Sequence, residues 1–374
     1  MRRRPGDGDR VESETVTASK PRRFVVHIGP MKTASTYLQL CLKAARADLL
    51  DKGIYYPEEF IAQNNKFMHM PLHNALMRKR KRELENGFAA IAAHGAHTVV
   101  LSCEHMMFLR RESFEMLAEM VGDAQLDVVY FARRWCDRYG SIWNQTLLMG
   151  GAQSFPEFYM AMLTGQPPNF YPPKVRMTGE QLDFDYSLIW RMLAHAVGRD
   201  ALSIFPYSTV MDRNEDVFDA FCRMVLGLDG APEVSFAGEK KWASMPPEEA
   251  EILRALNDMH HRRTGEEDAA IRNAFLRQRR HVDMSRITDA MEADMGEMEV
   301  DDCAAHFDAP YERMAEFNDR VVAGGEVFAR KSKLIRYVRP GYLLIDGVRE
   351  ELQGLYDLVA RHVAENREPE EDAA

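Results

Sequence analysis

None of the five cysteines, Cys41, Cys103, Cys136, Cys222 and Cys303, pairs with another at CxxC spacing, and their number is odd. Neither a disulfide framework nor a zinc site is indicated, and a reducing, cytoplasmic setting fits best. No stretch has the apolar length of a signal peptide or a membrane anchor: residues 1–20 carry Arg2, Arg3 and Arg4 and then polar and acidic residues, and read as a disordered leader. Positive charge is in deficit, with 48 Lys+Arg against 58 Asp+Glu for a net charge of −10. That argues against general nucleic-acid binding and says little about a small anion held locally. No solenoid-type repeat is present, and residues 365–374 read as a frayed acidic tail.

What the 374 residues do contain is one local pattern used four times: an amphipathic helical run, a glycine, then four to six apolar, β-branched-rich residues. Leu38, Cys41, Leu42, Ala45 and Leu49 keep helical spacing, Gly53 suits a left-handed helix end, and Ile54-Tyr55-Tyr56 follows as a strand. Gly95 precedes residues 98–102, Gly122 precedes 127–131 and Gly198 precedes 201–205. With residues 24–28 these make five strands separated by helices, which predicts an α/β fold: a parallel sheet flanked by helices on both faces, in three layers. After about Met211, residues 216–226, 247–259, 283–298 and 311–322 show helical spacing without a clear strand between them. Residues 342–345 read as a short strand and 348–363 as a closing helix. The expected organisation is a core over residues 21–230 and a helical C-terminal extension over 231–364 packed on it.

In such sheets ligands bind beyond the carboxyl ends of the strands. After the first strand comes Gly29-Pro30-Met31-Lys32-Thr33-Ala34-Ser35-Thr36, a tight turn with a lysine opening a hydroxyl-rich helix start. Unpartnered N–H groups at a helix N-terminus, an ammonium and hydroxyls together bind an anionic oxygen cluster. The loop departs from the nucleotide-triphosphate P-loop, which needs glycine directly before the lysine, where Met31 stands. The strand at 127–131 runs into Ala132-Arg133-Arg134, and Ser141 lies eight residues after Arg133. An arginine at a strand end and a serine two turns into the next helix can converge on one phosphate, the arginine bidentately.

At these residues the chain resembles the sulfotransferases that use 3′-phosphoadenosine 5′-phosphosulfate (PAPS), in particular bacterial members that open like H-I-G-x-x-K-T-x-[ST]-T-x-x-Q. The resemblance runs roughly over residues 24–227, through Gly53-Ile54-Tyr55-Tyr56-Pro57, Val100-Leu101-Ser102-Cys103-Glu104, Ser154-Phe155-Pro156-Glu157-Phe158 and Leu182-Asp183-Phe184-Asp185-Tyr186. It implies a P-loop-like fold and PAPS as donor co-substrate. Lys32, Thr33, Ala34, Ser35 and Thr36 would hold the 5′-phosphosulfate, and Arg133 with Ser141 the 3′-phosphate. Ala34 stands where the family usually has glycine, so the loop must avoid left-handed geometry there or accept strain of ~1 kcal/mol or more. Trp242-Ala243-Ser244-Met245 resembles a family segment that normally begins with asparagine.

The implied reaction is in-line transfer of a sulfuryl group to a hydroxyl or amine of a small-molecule, lipid or carbohydrate acceptor, with no metal required. Lys32 and the loop amides would stabilise the leaving phosphate. For the base that takes the acceptor proton, Glu104 and His105 follow the strand at 98–102, and Glu58 and Glu59 follow the second strand. Glu104 is preferred and Glu58 comes next, while His69 and His73 lie in a substrate-side loop. The alternatives are a P-loop-type kinase or NTPase, and a non-catalytic nucleotide- or polyanion-binding protein. Arg78-Lys79-Arg80-Lys81-Arg82 reads either as a solvated helix face or as a guide for an acidic acceptor. Met68, Met70, Met106, Met107 and Met149 suit either an adaptable wall of the cleft or core filling.

Overall fold

The structure is a computed structural model that describes residues 20–62, 67–164, 185–235, 245–265 and 269–366. Nearly all of the leader and the acidic tail, and the Leu182–Phe184 and Trp242–Ser244 parts of the segments quoted above, lie outside these residues.

Five strands form one parallel sheet: β1 Arg23–Ile28, β2 Ile54–Tyr55, β3 Thr98–Ser102, β4 Gln125–Phe131 and β5 Leu202–Phe205, in the order β2-β3-β1-β4-β5. Because successive side chains of a strand point to opposite faces, each strand feeds two cores. Phe24, Val26, Ile28, Val99, Leu101, Val128, Tyr130 and Ile204 enter one apolar cluster, and Val25, Val100, Val129, Phe131 and Phe205 enter the other. Helices α1 (Ser35–Ala44) and α2 (Arg46–Asp51) cover the second face. Helices α3 (Met70–Met77), α4 (Lys81–Ala92), α5 (Arg111–Val121), α6 (Trp135–Leu148), α7 (Phe155–Leu163) and α8 (Tyr186–Val197) cover the first. After β5, α9 (Tyr207–Asp212) and α10 (Val217–Met224) return to the second face.

The punctuation between helix and strand is physical. Gly53 sits at φ +74° with its N–H on the Leu50 carbonyl and its own carbonyl accepting from Thr98 N, so one left-handed residue both ends a helix and starts the β2–β3 pairing. β1 lies at the centre, with β3 on one side and β4 on the other. The chain therefore turns from one half of the sheet to the other across β1, and the crevice beyond its carboxyl end is the expected ligand position.

The extension is helical but carries one sheet of its own. It contains α11 (Pro247–Thr264), α12 (Ala269–Gln278), α13 (Ser285–Glu292), α14 (Asp308–Ala315) and α15 (Val348–Asn366). Between them β6 (Met295–Asp301) pairs antiparallel with β7 (Ser332–Val338). The expected helix over 283–298 thus stops at Glu292 and its last residues are strand, and the expected strand at 342–345 is instead part of a 3₁₀ turn, Pro340–Leu344. The extension also reaches into the core. Val322 N donates to the Ile204 carbonyl at the edge of β5, and Phe307 stacks on Trp135, ring centroids 4.7 Å apart. Asp302 accepts from Cys136 N at 2.9 Å, and so caps α6 from outside, because its N-cap residue Arg134 supplies no side-chain acceptor. Among the described residues no helix is long and apolar enough to cross a membrane.

Candidate active site

The loop between β1 and α1 is pinned at its start. Gly29 O accepts from Phe131 N at 3.1 Å, and a Cβ on Gly29 would lie 2.9 Å from Glu104 O and 2.8 Å from Met107 Sδ. Only glycine lets this loop touch the turn at Glu104–Phe108 that follows β3. Two non-glycine residues then take left-handed backbone, Lys32 at φ +70° and Ala34 at φ +55°, ψ +24°. The loop therefore accepts the strain that a glycine at position 34 would avoid. Thr33 Oγ1 donates to the Pro30 carbonyl at 2.7 Å and lies 3.3 Å from Ser35 Oγ, which folds the two hydroxyls under the bend. Ala34, at the N-cap, has no side chain to cap α1. The backbone N–H groups of residues 32–36 make no hydrogen bond among the described residues.

Lys32 Nζ likewise has no partner among the described residues. Its pKa is lowered, first by burial and then by the Arg133 guanidinium, with Glu104 acting in the opposite sense. Arg133 reaches the loop directly. Its guanidinium donates to the Lys32 carbonyl, to the Asp137 carbonyl at 2.6 Å and to Ser141 Oγ at 3.3 Å, and it lies over the Tyr207 ring at 5.6 Å. Its Nε is buried with no partner, and burial lowers its pKa. Tyr186 Oη donates to the Arg133 carbonyl at 2.7 Å and accepts from the buried Arg138 at 3.3 Å, so the backbone at Arg133 is held from below. Arg134 has a different use: it forks onto Asp212 with both distances 2.6 Å, reaches Asp137 at 2.9 Å, and ties α6 to α9. Lys32, Arg133 and Ser141 are thus brought together.

Glu104 stands across the loop. Gln39 Nε2 donates to Glu104 Oε2 at 2.8 Å and to Ser102 Oγ at 3.1 Å, and Ser102 Oγ lies 2.7 Å from His27 Nδ1. His27 is fully buried and burial lowers its pKa to about 3, so this chain of side chains is neutral as far as the carboxylate. Gln39 lies one helical turn beyond Ser35 on the face of α1 that carries the loop, and it stands at the closing glutamine of the H-I-G-x-x-K-T-x-[ST]-T-x-x-Q pattern, which marked the position without giving it a role. His105 presents its ring to His73, centroids 6.1 Å apart, and its Nδ1 is buried without a partner. His73 has a lowered pKa, chiefly from burial.

Two expectations are corrected, and the methionines, left open between cleft wall and core, are placed. His69 is not available as a base: it is fully buried, its Nδ1 accepts from Ser102 N at 3.0 Å, its Nε2 lies 3.3 Å from the Pro57 carbonyl, and its pKa is lowered to about 4 by burial. Glu58 is drawn away from the loop. Its mostly exposed carboxylate pairs with Arg46 at the end of the edge strand β2, with β3 between it and β1, while Glu59 is occupied by Tyr55 and His94. Met68, Met106 and Met107 belong to the buried core, and of the five methionines only Met70 and Met149 are partly open.

A cavity of about 340 Å³ opens at the end of β5, between Pro206, Val210, Arg213 and the segment Val322–Glu326, and none of the predicted site residues lines it. Among the described residues no group of three or more His, Cys, Asp or Glu is placed to hold a metal ion. No protein-family model, curated protein or solved structure matches this chain, so the side chains themselves carry the functional argument.

Proposed function

We propose that the chain is a PAPS-dependent sulfotransferase with a P-loop-like core, acting on a hydroxyl or amine acceptor. One observation carries the reading: Arg133, eight residues before Ser141, reaches both that hydroxyl and the backbone of the Lys32 loop, across 101 residues of sequence. The donor fits the donors left open, namely Lys32 Nζ, Arg133 Nε and the N–H groups of residues 32–36. Burial lowers the proton affinity of both cations and the Arg133 charge lowers that of Lys32 further, a strain that an anion would relieve. Bound PAPS would supply an activated sulfuryl group. Lys32 and the loop amides would hold the phosphate it leaves, Arg133 and Ser141 the 3′-phosphate, and Glu104, oriented by Gln39, would take the acceptor proton with His105 beside it. The five free cysteines suit a cytoplasmic enzyme.

Thermal shift separates this reading from a kinase or NTPase. Adenosine 3′,5′-bisphosphate at about 100 times its Kd adds ~2.7 kcal/mol. With a melting entropy near 0.8 kcal/mol/K for 374 residues, Tm should rise by about 3 °C, with or without magnesium. Lys32→Ala and Arg133→Ala should abolish the rise. Stabilisation by ATP alone, dependent on magnesium, would overturn the proposal.

A further inference from the structure

The basic run 78–82 does not form one helix face. Arg78 ends α3, Lys79 takes φ +53°, Arg80 is the N-cap of α4, and Lys81 and Arg82 open that helix. A second pair, Arg110 and Arg111, opens α5 in the same way, and all seven side chains are exposed. A helix N-terminus favours negative charge. Five of these cations therefore sit where the backbone field opposes them. Carboxylates answer three of them: Arg80 pairs with Glu83 at 3.1 Å, Lys81 with Glu119 at 2.6 Å and Arg111 with Glu115 at 2.7 Å. Arg78, Lys79, Arg82 and Arg110 have no carboxylate partner among the described residues.

These four border the corner where α3, α4 and α5 pack on one another. Ser113 Oγ donates to the Leu76 carbonyl at 3.3 Å, joining the start of α5 to the end of α3, and the Lys81–Glu119 pair joins the start of α4 to the last turn of α5, so the cations are spread along α5. The corner is continuous with the candidate active site. His73 lies on α3 five residues before Arg78, about 8 Å along the helix, and His105 lies five residues before Arg110. The two imidazoles meet edge to face, ring centroids 6.1 Å apart. Both segments that lead away from the imidazole pair thus end in unanswered cations.

We infer that the acceptor is a linear polyanion bearing hydroxyl groups, an acidic polysaccharide, lying along Arg78, Lys79, Arg82 and Arg110 with one hydroxyl at His73 and His105. The inference rests on the sulfotransferase reading for the reaction and on the cations for the partner. Exposed Glu83, Glu85, Glu112 and Glu119 flank the corner, and the chain as a whole carries −10. A bilayer or a nucleic-acid duplex would press on those carboxylates, whereas a single narrow chain meets only the cations.

The test uses the full chain, an oligogalacturonate as probe, uncharged dextran as control, and the exposed variant R78A/K79A/R82A/R110A. Oligogalacturonate should bind at 50 mM salt, weaken as salt is raised, and lose roughly tenfold or more in affinity in the variant. Dextran should not bind, and the thermal shift with adenosine 3′,5′-bisphosphate should be the same in both proteins. Equal binding by wild type and variant, no binding at all, or binding only to anionic phosphatidylglycerol vesicles or to a DNA oligonucleotide would overturn the inference. A wild-type chain that binds oligogalacturonate but shows no nucleotide shift would refute the sulfotransferase reading, and the acceptor role with it, while leaving the polyanion surface in place.

Discussion

Replacing Asp302 with asparagine should stabilise the protein in mild alkali and not in acid. The carboxyl group is fully buried, Oδ1 accepts from Cys136 N and Oδ2 has no partner. Burial is the main reason that its pKa is pushed up to about 7 from 3.8. The thiol and N–H of Cys136 and the Arg134 charge act against the rise, and the Asp137 charge adds to it. An acid whose pKa is higher folded than unfolded makes the fold bind its proton more tightly. No penalty exists below about pH 4, it grows between pH 4 and 7, and above pH 7 it is complete.

About three pKa units at 1.36 kcal/mol each set a ceiling of about 4 kcal/mol on that penalty. Asparagine keeps an acceptor for Cys136 N but places an amide NH₂ where Oδ2 has no partner, a buried donor that costs about 1–3 kcal/mol. The variant should therefore be about 1–3 kcal/mol more stable at pH 8.5, and equal to or up to about 2 kcal/mol weaker than wild type at pH 4.5. At a melting entropy near 0.8 kcal/mol/K this is a Tm gain of about 1–4 °C at the higher pH only. Calorimetric scans at the two pH values read it. A Tm difference that does not change with pH, or a variant that loses stability as pH rises, would refute the reasoning, because burial of a charge would then not be what Asp302 contributes.

Two further substitutions probe the loop. Ala34→Gly removes a left-handed alanine, costing about 1–2 kcal/mol, against a glycine entropy term of up to about 1 kcal/mol, so Tm should rise by roughly 1 °C, and a fall in Tm would show that the Ala34 methyl contributes packing that outweighs the strain. Gln39→Leu leaves the Lys32 loop and Arg133 untouched but frees Glu104. On the proposed reading, turnover should drop about tenfold to a hundredfold while adenosine 3′,5′-bisphosphate affinity, followed by calorimetric titration, stays within about a factor of two; equal loss of both would mean that the amide supports the loop and not the carboxylate.

The sheet was legible because parallel strands are buried on both faces and so read as unbroken apolar runs; residues 98–102 match β3 end to end. The β6–β7 hairpin was not. β6 is Met-Gly-Glu-Met-Glu-Val-Asp and β7 is Ser-Lys-Leu-Ile-Arg-Tyr-Val, each half exposed and rich in long side chains that also suit helices. Their pairing is a tertiary fact that local spacing does not contain. The site divides the same way. That Lys32, Arg133 and Ser141 come together could be read because each has a fixed place relative to a strand end. His69 could not be told from a base, since its occupation by Ser102 N and the Pro57 carbonyl depends on segments 33 and 12 residues away. The Asp302 cap on α6 spans 166 residues and left no local mark.

Left-handed backbone at Lys32 and Ala34, an uncapped α1, a lone ammonium and a guanidinium with a buried free Nε are each unfavourable, and all fall within one bend and the arginine that touches it. Scattered through a protein, such features would be tolerated flaws; gathered in one place, they share a single remedy, because one multiply charged anion would supply acceptors to all of the open donors and cancel the repulsion between the two cations. Arg133 now rests on the Lys32 and Asp137 carbonyls, which are neutral acceptors. A phosphate would displace them with a stronger, charge-assisted pair, and the loop and α6 would then be joined through the ligand instead of through a backbone carbonyl. Neither cation needs to bind strongly alone for such a site to select a molecule with two separated phosphate groups over one with a single group.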